Sequence, residues 1–329
     1  MAKATSRIRK VLYFIGLLIF AGLMAYALGP RPVADTTIEF EANSLPDDLD
    51  AYIAASEARF DDLRPGNEKQ IVWAYPASRA RTPIAIVYIH GFSASPGELR
   101  PLPDIVAKNL GANLYYARLT GHGRSGDAML EGSVHNWVND FAEAMAIGRR
   151  LGERVVVMAT STGASLSTWS ATRPELMQNV IGMVQFSANY GLQATGSSLL
   201  TKPWAEKAVL LTIGERRSFE VKTEAQARLW THEYPSLSLL QMALLIDLAK
   251  DADPRTITVP SLFIHSPLDK IIQPEAIRQK AASWGAPTKI IEVLDDEDAP
   301  SHHVIAGDAI SPSTTARLAA QTTEWIAGL

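Results

Sequence analysis

The chain contains no cysteine. That excludes a thiol nucleophile, a disulfide framework, a cysteine-ligated metal and a lipid-modified N-terminal cysteine. It fits an oxidising compartment without requiring one. A basic excess is also missing. Thirty-one Lys and Arg stand against 35 Asp and Glu, for a net charge of −4. No basic stripe is left to neutralise phosphates, so nucleic acid is not an expected partner. Repeats and low-complexity tracts are lacking as well. No metal is expected: the chain has 7 His, and His232-Glu233 lacks the second histidine of a zinc-binding helix. The glycine-rich turn Gly121-His122-Gly123-Arg124-Ser125-Gly126 matches neither a dinucleotide nor a P-loop spacing, so no cofactor is expected and His122 reads as structural. Nothing in the sequence calls for an obligate protein partner.

Hydrophobic residues make up 47% of the chain, and their first concentration is N-terminal. Lys3, Arg7, Arg9 and Lys10 (residues 1–10) precede an apolar run at 11–28, Val11–Leu28. Such a run is near the lower limit for spanning a bilayer, and its basic flank belongs on the cytoplasmic side. Asp35, Glu39, Glu41, Asp47 and Asp48 follow it. The expectation is a single-pass anchor with the rest of the chain outside the cytoplasm. Ala25-Tyr26-Ala27 keeps a second reading open: a signal peptide, cleaved to release a secreted protein.

Residues 29–68 read as a linker opening on Gly29-Pro30-Arg31-Pro32, then a helix from Pro46 to about Leu63. From residue 69 to 329 strands and helices alternate. Ile84–Ile89, Asn113–Ala117, Arg154–Ala159 and Val180–Phe186 read as strands. Glu98–Leu110, Trp137–Leu151 and Thr162–Thr172 read as helices. Runs such as Val155-Val156-Val157-Met158 suit strands buried on both faces, so the fold class is α/β, a mostly parallel sheet with helices on both faces. At about 190–254 the rhythm fails, and a helical cap insert is predicted. Its apolar residues include Leu199, Trp204, Leu210, Leu211, Ile213 and Leu245. Alternation returns with Ile257–His265, Pro274–Trp284, Lys289–Leu294 and Thr314–Ile326.

Five pieces of this pattern carry chemistry. Ala159-Thr160-Ser161-Thr162-Gly163 joins a buried strand to a helix. A sharp turn there lifts a serine hydroxyl clear of the sheet, and the hydroxyl needs a base to become nucleophilic. Ala159 stands where the usual pattern has glycine. His90-Gly91-Phe92 follows an early strand, where a backbone N–H can help hold a negative oxygen. With the residue after the serine, this gives Phe92 and Thr162 as oxyanion donors, while His90 orders the loop. Asp269 follows the strand ending at His265, and His303 lies in Ser301-His302-His303-Val304-Ile305. The order Ser161, Asp269, His303 is that of nucleophile, acid and base. The run Asp295, Asp296, Asp298 reads as a solvated loop.

His90-Gly91-Phe92, Leu119-Thr120-Gly121-His122-Gly123, Ser161 with Gly163, Asp269 and His303-Val304-Ile305 together resemble the monoacylglycerol lipase and carboxylesterase branch of the α/β hydrolases, over roughly Lys69 to the C-terminus. The resemblance implies Ser161 as nucleophile, Asp269 as acid, His303 rather than His302 as base, Phe92 and Thr162 as oxyanion donors, and a lid in the insert. The expected activity is hydrolysis of a small lipophilic ester. A thioesterase or amidase with the same triad, and a non-catalytic membrane-tethered binding protein of the same fold, are the alternatives.

Overall fold

The computed structural model describes residues 2–329, with side chains described at Arg7 and from Arg9 onward; the Lys3 side chain of the basic flank lies outside that description. Helix α1 (Ala2–Ala27) starts ahead of the apolar run and takes in most of the basic tail. Its segment Arg9–Ala27, 19 residues with none of it buried, is long and apolar enough to cross a membrane; a signal sequence meets the same criterion. At 1.5 Å per residue it reaches about 28 Å. The end of α1 touches the main body: the Trp204 indole N–H donates to the Ala25 carbonyl at 2.9 Å, and the Trp204 amide to that of Pro30 at 2.7 Å.

The predicted helix in residues 46–63 is shorter, α2 (Leu49–Glu57), capped by the Asp48 carboxylate on the Ala51 amide. It is tied to the body by a buried ion pair between Glu57 and Arg118 at 2.7 Å.

Among the described residues nine strands follow: β1 (Gln70–Val72), β2 (Thr82–Ile89), β3 (Asn113–Tyr116), β4 (Gly152–Thr160), β5 (Val180–Phe186), β6 (Arg216–Ser218), β7 (Glu233–Pro235), β8 (Ser261–His265) and β9 (Thr288–Glu292). Seven form one sheet in the order β1-β3-β2-β4-β5-β8-β9. Within this sheet only the β1–β3 pairing is antiparallel. The fold is the mostly parallel α/β sheet read from the sequence. Both faces are covered because the strands alternate apolar residues two ways. Ala85, Val87, Ile89, Val155, Val157 and Ala159 enter the core on one face; Ile86, Tyr88, Val156 and Met158 enter the other. The first core holds α4 (Val134–Leu151), α5 (Thr162–Ala171), α8 (Ser238–Asp251) and α9 (Pro274–Ala282). The second holds α3 (Leu102–Leu110) and α10 (Pro312–Ala327). Helix α3 starts four residues later than read from the sequence, in a stretch where Pro101 and Pro103 cannot donate backbone hydrogen bonds.

The order fixes where chemistry can happen. The chain runs from β2 outward to β3, then back over β2 to β4. Functional groups of open α/β sheets gather at the carboxyl ends of strands where the order reverses. Here β2 and β4 pair through Ile89↔Ala159, so the next residues of each strand, His90 and Thr160, lead into neighbouring loops.

Between β5 and β8 lie α6 (Ala205–Thr212), α7 (Glu224–Leu229) and α8, plus the β6–β7 hairpin. The hairpin is absent from the sequence reading because two strands of three residues each are too short to show alternation.

Candidate active site

Ser161 has φ +51° and ψ −117° and directly precedes α5. Non-glycine residues adopt positive φ at a cost, so the surroundings must impose it. They do so through the backbone. The Ser161 amide donates to the Phe186 carbonyl at 2.9 Å, and the Ser161 carbonyl accepts from Ser165 and Asn189. Gly163 makes the turn possible: a Cβ there would lie 2.4 Å from the His90 carbonyl oxygen and 2.5 Å from that of Ile89. Ala159, by contrast, is fully buried in the core, so its methyl is accommodated.

The other expected residues converge on that hydroxyl. His303 Nε2 is 3.0 Å from Ser161 Oγ, and His303 Nδ1 is 2.7 Å from Asp269 Oδ2. The second oxygen of Asp269 accepts from the Ile271 and Ile272 amides at 2.7 and 3.0 Å, and the side chain is fully buried. With Asp269 accepting from Nδ1–H, Nε2 presents its lone pair to the serine, the state in which an imidazole takes a proton. The His303 loop is fixed behind the ring: Ser187 Oγ donates to the His303 carbonyl at 2.6 Å, and Ile305 is buried. His302, at φ +53°, is half-buried and takes no part in this chain of bonds. The acidic run needs a correction. Asp295, Glu297 and Asp298 are exposed, but Asp296 is buried, accepts from Ser311 Oγ at 3.1 Å, and is pushed up by that burial. Its side-chain partner is Ser311, whereas His303 Nδ1 pairs with Asp269.

Phe92 and Thr162 follow Gly91 and Ser161, which approach closely: a Cβ on Gly91 would lie 3.2 Å from Ser161 Cβ. Among the described residues neither the Phe92 nor the Thr162 amide has a hydrogen-bond acceptor. Two free N–H groups beside a serine are what a developing oxyanion requires. The Phe92 ring sits edge-on to His122, Trp137 and Tyr234, the last from the insert, and the Thr231 amide donates to the Ser93 carbonyl at 2.7 Å. The insert therefore braces this loop. His90 is buried, accepts from the Leu119 amide through Nε2 at 3.0 Å and donates from Nδ1 to the Gly91 carbonyl at 2.8 Å. Burial holds it far below the usual histidine range, hence neutral. His122 is likewise buried, pushed down to about 4 chiefly by desolvation. Both are structural.

One residue at this site was not singled out from sequence. Glu98 is buried, accepts from the Gly91 amide at 2.6 Å and from the Tyr88 hydroxyl at 2.9 Å, and desolvation pushes its carboxyl up to about 7. Its only sequence signal is a single acid in Gly97-Glu98-Leu99, eight residues beyond His90.

The Hydrolase_4 family profile, described as serine aminopeptidase, S33, matches residues 81–297. The chain belongs to that family. The match covers Ser161 and Asp269 and stops short of His303. In sequence the chain is similar to the thermostable monoacylglycerol lipase of Bacillus sp. (strain H-257), 27% identical over 201 residues, 61% of this chain and 76% of the lipase. Among solved structures, one from the metagenome-derived lipolytic enzymes LipS and LipT superposes with a TM-score of 0.66 at 19% identity, covering 81% of this chain and all of its own. A soluble variant of the Saccharomyces cerevisiae monoglyceride lipase, with a substrate analogue, gives 0.59 at 12% identity over 79% and 90% of the two chains. At these identities the structural likenesses speak for the fold. Taken with the family match, this Hydrolase_4 chain is a lipase/esterase-like α/β hydrolase.

Proposed function

We propose that this protein is a serine esterase that cleaves carboxylic esters of lipophilic acyl groups through an acyl-enzyme on Ser161. The observation that carries the reading is the continuous chain from Ser161 Oγ through His303 to the buried Asp269, on a serine held at positive φ. In the first half-reaction Ser161 Oγ attacks the ester carbonyl carbon while His303 Nε2 takes its proton. The oxyanion is received by the Phe92 and Thr162 N–H groups. Collapse breaks the C–O bond, and the leaving alkoxide collects the proton from His303. Water then attacks the acyl-enzyme with His303 again as base, releasing the acid and restoring Ser161. Asp269 keeps the imidazole in one tautomer and stabilises its positive charge.

The lipophilic preference is supported by the insert, which exposes Leu199, Leu210, Leu211 and Ile213. A panel of p-nitrophenyl esters from acetate to palmitate, alongside aminoacyl p-nitroanilides, tests it. Each methylene buried contributes about 0.8 kcal/mol, so kcat/KM is expected to rise by up to about fourfold per added methylene through the medium chains. Because the family description names an aminopeptidase, anilides form the second arm: anilides turned over faster than every ester would replace the esterase reading with an amidase.

We further infer that α1 is an uncleaved anchor and that the catalytic domain lies outside the cytoplasm. Basic Arg7, Arg9 and Lys10 precede the apolar run Val11–Leu28 and acidic residues follow it. Trp204, a residue type that favours the membrane interface, meets the far end of α1. A C-terminal fusion to a reporter active only in the cytoplasm is expected to stay silent, and a strong signal would reverse the orientation. Sequencing the mature N-terminus is expected to return the residues ahead of Val11; a start near Leu28 would show cleavage.

A further inference from the structure

We propose that Glu98 is a positioning residue for the ester reaction: its buried carboxylate grips the Gly91 amide and so aims the neighbouring Phe92 N–H at the oxyanion. This rests on the reading of Ser161 as nucleophile. Glu98 is 2% exposed, and no basic side chain forms an ion pair with it among the described residues. A carboxylate buried without such a partner is costly. Gly91, which it holds at 2.6 Å, lies between it and the serine: a Cβ on Gly91 would be 3.2 Å from Ser161 Cβ and 3.4 Å from Glu98 Oε2. The Gly91 carbonyl is held by His90 Nδ1 and its amide by Glu98. With both polar groups of the preceding residue fixed, the plane of the next peptide, which carries the Phe92 N–H, has little freedom. The base of the turn is tied in too. Tyr88 donates to Glu98 at 2.9 Å and stands 3.0 Å from Thr160 Oγ1, one residue before Ser161. One carboxylate thus links the loop after β2 to the turn after β4.

The titratable groups facing Glu98 are Tyr88 on β2, with Tyr116 of β3 behind it, and His303 on its loop; the Thr160 hydroxyl of β4 completes the polar contacts. Desolvation pushes Glu98 up to about 7, and the attraction of His303 opposes that shift.

The test compares Glu98→Ala and Glu98→Gln with the wild type in the full-length protein, measuring kcat and KM on one ester across pH. Fluorophosphonate labelling at Ser161 is followed in parallel. Glu98→Ala frees the Gly91 amide, and kcat is expected to drop about 10²–10³-fold with KM changed less than about threefold, the size of losing one oxyanion donor. Glu98→Gln keeps an acceptor for Gly91 and is expected to retain kcat within about tenfold of wild type. It cannot ionise, so the part of the acid limb set by Glu98, whose carboxyl desolvation pushes up to about 7, is expected to disappear and the kcat/KM profile to hold to lower pH. A wild-type kcat in Glu98→Ala would overturn the proposal. So would equal losses in both variants with an unmoved acid limb, the pattern of a merely structural residue. If Glu98→Ala does not fold, the Gln variant decides through the limb. Absence of wild-type labelling at Ser161 would instead break the nucleophile reading; labelled Ser161 with an indifferent Glu98 sinks this proposal alone.

Discussion

Ser161→Ala is expected to lower ester turnover by about 10⁴–10⁶-fold while leaving the fold intact. The hydroxyl's hydrogen-bond partner is His303 Nε2 at 3.0 Å. The positive φ of Ser161 is held by its amide and carbonyl, which bond Phe186, Ser165 and Asn189 and survive the substitution. Alanine keeps the Cβ that faces Gly91. The melting temperature should therefore stay close to wild type, within the span of about 0.5 kcal/mol typical of a substitution that disturbs no packing. Binding of an unreactive ester analogue should persist. More than a few per cent of residual turnover in a clean preparation would contradict the role of Ser161.

The second large effect separates two adjacent histidines. His303→Ala is expected to abolish turnover on the same scale as Ser161→Ala, and His302→Ala to leave most of it. The backbone turns at His302, at φ +53°, and only His303 reaches both Ser161 and Asp269. Stability should separate the pair as well. Removing the imidazole leaves Asp269 Oδ2 buried without its partner, at a cost of about 1–3 kcal/mol. His302 is half-buried and bonds through its backbone, to Ala299. Asp269→Asn belongs to the same test. An amide facing Nδ1 would donate to it, leaving Nε2 protonated and unable to accept from Ser161, a loss of about 10⁴-fold. A dead His302→Ala beside an active His303→Ala would shift the base by one position.

Much of this arrangement is legible without coordinates because the relevant signals are local. The run Val155–Met158 ends three residues before Ser161, and a buried strand ahead of a small-residue turn is visible in one dimension. Val180–Phe186 is read to the residue for a similar reason: Val180, Ile181, Met183, Val184 and Phe186 give it an apolar, strand-forming composition. The chain order of serine, acid and base needs no distances. What escapes is whatever depends on contacts between distant segments. Glu98 reads only as the start of a helix, because the contacts that bury it come from Tyr88 and Gly91 at the end of β2. Asp296 looks solvated amid its acidic neighbours until Ser311 covers it. The aromatic brace on Phe92 includes Tyr234 from the insert, a pairing that neither segment announces. The hairpin that presents Tyr234 is built on polar residues and pairs through its backbone.

The central claim is that Ser161 is the nucleophile, and covalent capture tests it most directly. The purified protein is treated with a fluorophosphonate, digested, and the modified residue located by mass spectrometry. The expected result is a single stoichiometric adduct on Ser161, lost in Ser161→Ala and strongly slowed in His303→Ala. An adduct on another residue, or an active preparation that takes up no label, would contradict it.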